Sequence, residues 1–227
     1  MEKVAALVPM RHHSVRVPQK NYRKLSGRPL FYWILEALQK SQTISEIWVD
    51  TDSPIIKRHI NCDFQGVNII HRPPHLVDGD IPMNKIIAHD IGFTKANTIL
   101  QTHSTNPFLK PDTIDKAVKQ YFDSDCDSLF SVTRLQTRLW ARDSAPINHD
   151  PEILLKTQDL DPVYEENSNI YIFDRQSFKE TGNRIGKNPT MFEIEKMESI
   201  DIDDESDYMM AEILGQKIEQ GGVQPPY

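Results

Sequence analysis

Two stretches at opposite ends of the chain carry residue types suited to holding a polyphosphate. The first is Pro9-Met10-Arg11-His12-His13-Ser14-Val15-Arg16-Val17-Pro18-Gln19-Lys20-Asn21. It offers guanidinium forks at Arg11 and Arg16, an ammonium at Lys20 and a hydroxyl at Ser14. Guanidinium groups bind phosphate oxygens through paired hydrogen bonds, and lysine acts as a point charge. Between Lys3 and Leu35 there are seven cations and no acid, in a chain of formal net charge −7. The stretch lacks the glycines and the Gly-Lys-Ser/Thr ending of a P-loop. The second stretch is Ser199-Ile200-Asp201-Ile202-Asp203-Asp204-Glu205-Ser206-Asp207. On an extended segment Asp201 and Asp203 share one face, and two carboxylates beside phosphates suit Mg²⁺. The later acids fit a helix start, with Asp203 or Asp204 as cap and Glu205 and Asp207 complementing the dipole.

Two further stretches carry polar groups. Asp50-Thr51-Asp52 ends an apolar run and precedes Ser53-Pro54, so a strand-to-helix turn explains it better than a metal site. Leu100-Gln101-Thr102-His103-Ser104-Thr105-Asn106-Pro107-Phe108 presents amides and hydroxyls at another strand end. The eight histidines have no zinc spacing. Cys62 and Cys126 read as two reduced thiols.

Apolar runs alternate with helical patterns, which predicts an α/β fold with a mostly parallel sheet covered by helices. The expected strands are Val4–Pro9, Glu46–Asp50, Val67–Ile70, Asn97–Gln101, Ser128–Val132 and Asn169–Phe173. The expected helices cover 29–39, 53–60, 83–93, 111–122 and 205–219, the second capped by Ser53 with Pro54 at its first position. The basic stretch then follows the first strand, and open α/β sheets bind ligands at the carboxyl ends of their strands. The segment 134–166, with Trp140, Pro146, Pro151 and Pro162, breaks the rhythm and reads as an excursion that covers the site or meets a partner. One domain spans 1–220, and 221–227 reads as a loose tail.

Hydrophobic content of 38% and charged content of 26% mark a globular chain. The acidic balance, with a pI near 5.6, argues against general nucleic-acid affinity. The N-terminus lacks a secretory pattern, and no apolar run approaches the ~20 residues that cross a bilayer. A cytoplasmic protein is expected.

These stretches, in this order, resemble the acylneuraminate cytidylyltransferase family. Met10 to Asn21 is similar to its Ala-Arg-x-x-Ser-Lys-x-x-Pro-x-Lys-Asn loop, followed by Gly27-Arg28-Pro29-Leu30. Asp50-Thr51-Asp52 resembles its strand-end motif, and Arg72-Pro73 with Leu76 its Arg-Pro motif. Gln101 to Pro107 loosely resembles Gln-Pro-Thr-Ser-Pro, and Asn167-Ser168-Asn169-Ile170-Tyr171 resembles Asn-Gly-x-Ile-Tyr. Ile200 to Asp203 resembles Ile-Asp-Ile-Asp unchanged. Two departures stand out. Val15 replaces the motif's lysine, with Arg16 one position on. Glu165-Glu166 replaces the Arg-Pro before Asn-Gly, placing two acids where a sugar carboxylate would bind.

The resemblance implies a three-layer, Rossmann-like nucleotidyltransferase that joins CTP to the anomeric hydroxyl of a sialic-acid-like acidic sugar, releasing pyrophosphate. It places Pro9, Arg11, Ser14, Lys20, Asn21 and Arg72 on the nucleotide, and Mg²⁺ on Asp201 and Asp203. Arg16 joins Arg11, Lys20 and the two aspartates in catalysis. Gln101, Asn167, Asn169 and Tyr171 contact the acceptor, and 80–84 lines the base pocket. It also implies a homodimer built through 134–166 with Leu139 and Trp140 as anchors, and no nucleic acid or membrane partner. Three alternatives stay open: a nucleotidyltransferase using another acceptor or nucleotide, a glycosyltransferase with its metal on Asp50-Thr51-Asp52, and a non-catalytic nucleotide-binding homologue.

Overall fold

Strand β1 (Val4–Pro9) has every residue buried, as a central strand covered on both faces requires. It lies between β4 (Ile44–Thr51) and β6 (Thr98–Gln101), parallel to both. The computed structural model describes residues 3–221, so the expectation for 222–227 lies outside the described residues.

The main sheet has seven strands in the order β5-β4-β1-β6-β8-β7-β9. Strand β5 is Val67–His71, β7 Ser128–Leu135, β8 Val163–Asp174 and β9 Pro189–Glu193. Only β8 runs against its neighbours β6 and β7; β9 is parallel to β7. The expected mostly parallel α/β sheet is therefore present. A small hairpin, β2 (Lys24–Leu25) with β3 (Arg28–Pro29), stands apart from it.

Period-two alternation divides β1 between two cores. Val4, Ala6 and Val8 face α1 (Leu30–Lys40), α2 (Pro54–Asp63) and α4 (Pro111–Asp123), where Phe31, Ile34, Ile56, Ile60, Ile114 and Val118 pack. Ala5 and Leu7 face α3 (Met83–Asp90) and α5 (Arg175–Thr181) through Ile87 and Phe178. Helix α2 starts as its sequence dictates, the Ser53 hydroxyl accepting from Ile56 N. A third cluster ties α6 (Glu205–Glu219) to the hairpin and the first loop, with Tyr208 and Ala211 against Val17, Leu25, Trp33 and Ile202.

The sequence reading missed β9, the hairpin and the extra length of β8. Leu135 pairs with Val163 and Thr133 with Glu165, so both ends of the expected excursion are strand and the irregular part is 136–162. Its single bridge joins Trp140 to Pro146.

Candidate active site

The chain leaves β1, builds β4 and β5 to one side, then returns to place β6 on the other. That reversal opens a crevice at the carboxyl ends of β1 and β6, the position where open α/β sheets hold ligands. Thr102 N donates to Leu7 O and Met10 N to Asp50 O, which fixes where the loops depart. A cavity of about 410 Å³ lies there, lined from the first loop by Pro9, Arg11, Ser14, Arg16, Lys20 and Asn21. Arg72, Asp201 and Asp203 also line it, so segments 180 residues apart in sequence share one wall.

Local folding explains each placement. Ile202 is fully buried against Val17 and Leu25, and its N–H donates to Thr105 O. On extended backbone that turns its neighbours Asp201 and Asp203 the other way, toward the cavity. Asp204, not Asp203, caps α6: its carboxylate accepts from Ser206 N and Asp207 N, and Asp207 accepts from Asp204 N in return. Asp203 is left for the first loop. Arg16 Nη2 donates to Asp203 Oδ1 at 2.8 Å, and Lys20 Nζ donates to Ile202 O at 2.6 Å with Asp203 Oδ1 at 3.6 Å. Burial lowers the Lys20 pKa, and the neighbouring Asp203 and Asp201 act against that shift. Burial pushes the Asp201 carboxyl up, and its Oδ1 is buried without a hydrogen-bond partner.

Asn21 braces two loops, donating from Nδ2 to Arg11 O and accepting from Ser104 Oγ, both at 2.7 Å. A Cβ at Gly79 would lie 2.4 Å from Arg11 Nη1, so the missing side chain there leaves room for the guanidinium. Arg72 is held by Asp50, Nε to Oδ2 at 2.9 Å, with both side chains almost wholly buried. Asp52 accepts from His12 N at 2.7 Å. The Asp50-Thr51-Asp52 motif is thus spent on Arg72 and the first loop.

The expected acceptor residues Gln101, Asn167, Asn169 and Tyr171 do not line the cavity. Asn167 is buried between Ser131 and Thr133, and Asn169 and Tyr171 are fully buried. Gln101 and Tyr171 stand one layer behind Arg184, which the sequence reading did not single out. Arg184 Nη1 donates to Gln101 Oε1 at 2.5 Å, and its guanidinium stacks 3.5 Å over the Tyr171 ring. His103, Ser104, Thr105 and Ser168 complete this side. Burial, reinforced by Arg184 and Lys20, pushes the His103 pKa down to about 3, so the ring is neutral and Nε2 accepts from the Gln101 amide. Ile81 and Met83, from the stretch expected near the base, also border the cavity, with Gly79 and Ile86. Val15, at the position of the motif's lysine, is 88% exposed, whereas Arg16 reaches Asp203.

Crossover topology, a phosphate-suited loop and two facing aspartates define a nucleotide-handling α/β protein. The family model described as cytidylyltransferase matches residues 5–220, and the chain belongs to that family. It is 27% identical to N-acylneuraminate cytidylyltransferase A of Danio rerio, over 92% of this chain and 50% of that protein. It is 28% identical to the CMP-N,N'-diacetyllegionaminic acid synthase of Legionella pneumophila, over 93% and 96% respectively. The chain spans about half the length of the animal relative. Among solved structures, CMP:2-keto-3-deoxy-manno-octonic acid synthetase complexed with CTP superposes with a TM-score of 0.69 at 13% identity, covering 97% of this chain and all of that one. That likeness establishes the fold. No described helix is long and apolar enough to cross a membrane.

Proposed function

We propose that this protein joins CTP to the anomeric hydroxyl of a nonulosonic or ulosonic acid, giving a CMP-sugar and pyrophosphate. The observation that carries the reading is the meeting of Arg16 and Lys20 with Asp203 across one cavity at the sheet's crossover point. The printed names of the relatives, an N-acylneuraminate cytidylyltransferase and a diacetyllegionaminic acid synthase, support the same chemistry.

In this reading Arg11, Ser14, Lys20 and Arg72 bind the triphosphate, and Asn21 holds the loop that presents them. The acceptor hydroxyl attacks the α-phosphorus and pyrophosphate leaves. Positioning and charge neutralisation supply most of the acceleration in such transfers. Lys20, desolvated yet held by Ile202 O and Asp203, offsets the charge growing on the leaving group. Arg16 stands in for the lysine absent at Val15.

The residues fit Mg²⁺. Asp201 and Asp203 share a face, and Asp201 Oδ1 is an orphaned buried acceptor. No third His, Cys, Asp or Glu joins them among the described residues. Phosphates and waters would complete the shell, as Mg²⁺ prefers. Bound there, the ion would neutralise phosphate charge. A homodimer and a cytoplasmic location belong to the same proposal.

The test is pyrophosphate release with CTP, Mg²⁺ and a panel of N-acetylneuraminic, N,N'-diacetyllegionaminic and 2-keto-3-deoxy-manno-octonic acids. At least one acid should support turnover, and Lys20→Ala should slow it by roughly 10²–10³. No release with any acid, or full activity in a folded Lys20→Ala, defeats the reading.

A further inference from the structure

Arg184 is a cation in the cavity wall with no carboxylate in contact with it. Arg16 and Lys20 face Asp203, and Arg72 faces Asp50. Arg184 has only neutral partners, the Gln101 carbonyl and the Tyr171 ring. Among the described residues no carboxylate lies within 4 Å of it. The acid that could have served, Glu166, instead accepts from the Tyr171 hydroxyl. Burial works against the charge, with Tyr171 and the more distant Glu166 acting the other way, and a guanidinium keeps its proton in proteins. A desolvated charge with no counter-ion in contact is costly and is ordinarily completed by one.

The surroundings hold this incomplete pair in place. Gln101 cannot turn its amide toward Arg184, because its Nε2 already donates to Thr102 O at 3.0 Å and contacts His103 Nε2 at 3.0 Å. The loop after Arg184 is pinned by the Asp127 carboxylate, which accepts from Lys187 N at 2.6 Å and Asn188 N at 3.1 Å. The guanidinium borders the cavity, as do Ser168 and His103.

We propose that Arg184 is the specificity-determining anchor for the acceptor's carboxylate. The proposal rests on the cytidylyltransferase reading and deepens it. It resolves the departure at Glu165-Glu166: the cation absent from that position comes from the loop after α5. Glu166 is exposed and engaged by the Tyr171 hydroxyl rather than by Arg184, which leaves the guanidinium free for the acid. Tyr171 and Gln101 become positioning residues that hold the guanidinium flat and aimed.

The test is calorimetric titration of the CTP-saturated protein, without divalent metal, with each acid of the panel and its uncharged methyl ester. At least one acid should bind the wild type about 30-fold or more tightly than its ester, the low end for one member of a buried charged pair. Arg184→Gln should abolish that preference while leaving CTP affinity unchanged, and Arg184→Lys should retain part of it. Gln101→Glu, which supplies an internal counter-ion, should also abolish it and covers the case of a poorly folded Arg184→Gln. Equal binding of acid and ester to the wild type, a preference that survives Arg184→Gln or Gln101→Glu, or no acid binding overturns the proposal. Acid binding that depends on Arg184 but yields no pyrophosphate when Mg²⁺ is added leaves the anchor standing and defeats the functional reading alone.

Discussion

Arg72 lines the cavity with the buried Asp50 holding it from behind, and Asp90 is buried next to Asp50. Asp50 accepts from Arg72 Nε, and Asp50 Oδ1 and Asp90 Oδ2 are both buried without a donor. Two carboxyl groups that hydrogen-bond each other explain both orphans with one shared proton. That proton makes the trio with Arg72 electrically neutral, which burial demands. Burial, then the Asp50 charge, pushes the Asp90 pKa far above the ordinary carboxylate range; burial also pushes Asp50 upward, with Arg72 acting against that shift. His89 Nδ1, 3.0 Å from Asp90 Oδ1, is the remaining titratable neighbour. The folded state keeps a proton that the unfolded chain releases above the ordinary aspartate value of about 3.8. Stability must therefore fall as pH rises from that range toward the raised folded value. Asp90→Asn removes the titration and keeps a hydrogen-bond donor for Asp50. Its thermal midpoint should decline less than the wild type's between about pH 5 and pH 8. Parallel slopes for the two proteins would refute the shared proton.

Among the elements, α6 decides whether the aspartates face the site. Its capping box fixes the chain directly after Asp203, and its Tyr208 and Ala211 press on the cluster that buries Ile202. Asp204 is exposed, so its substitution tests the cap without disturbing the core. Asp204→Ala should cost about 1 kcal/mol in urea unfolding, and Asp204→Asn much less, since asparagine also caps. Identical midpoints for the two variants would remove the cap from the account.

Much of this was legible in the sequence. Ser53-Pro54 announced α2, the unbroken Val4–Pro9 run announced a central strand, and Asp-Ile-Asp announced two acids on one face. The signals that failed are non-local. β9 is five residues with a single buried side chain, indistinguishable from loop until β7 pairs with it. The direction of β8 depends on how residues 136–162 turn, which carries no period. Spacing also cannot say whether Gln101 and Tyr171 enter a cavity or back a residue that does. Arg184 is a lone cation after Gly182-Asn183, and the partner that defines it lies 83 positions away.

At the scale of the whole molecule, the irregular segment 136–162 exposes several large apolar side chains. Trp140 (52%), Ile147, Ile153 and Leu154 (89%) are exposed within 136–162. Trp140 meets His149 edge-on and does not enter the molecule's own core, while Leu139 is half-buried. Several exposed apolar side chains in one irregular segment suit a surface that associates, and twofold pairing is the commonest closed symmetry among oligomers. This supports the proposed homodimer. Because Leu154 makes little contact within its own chain, Leu154→Glu should leave monomer stability nearly unchanged while placing a charge in the interface. Light scattering at micromolar concentration should give twice the 26.2 kDa chain mass for the wild type and the single mass for Leu154→Glu. A wild-type protein that scatters as a single chain would remove the dimer and leave the exposed excursion without a partner.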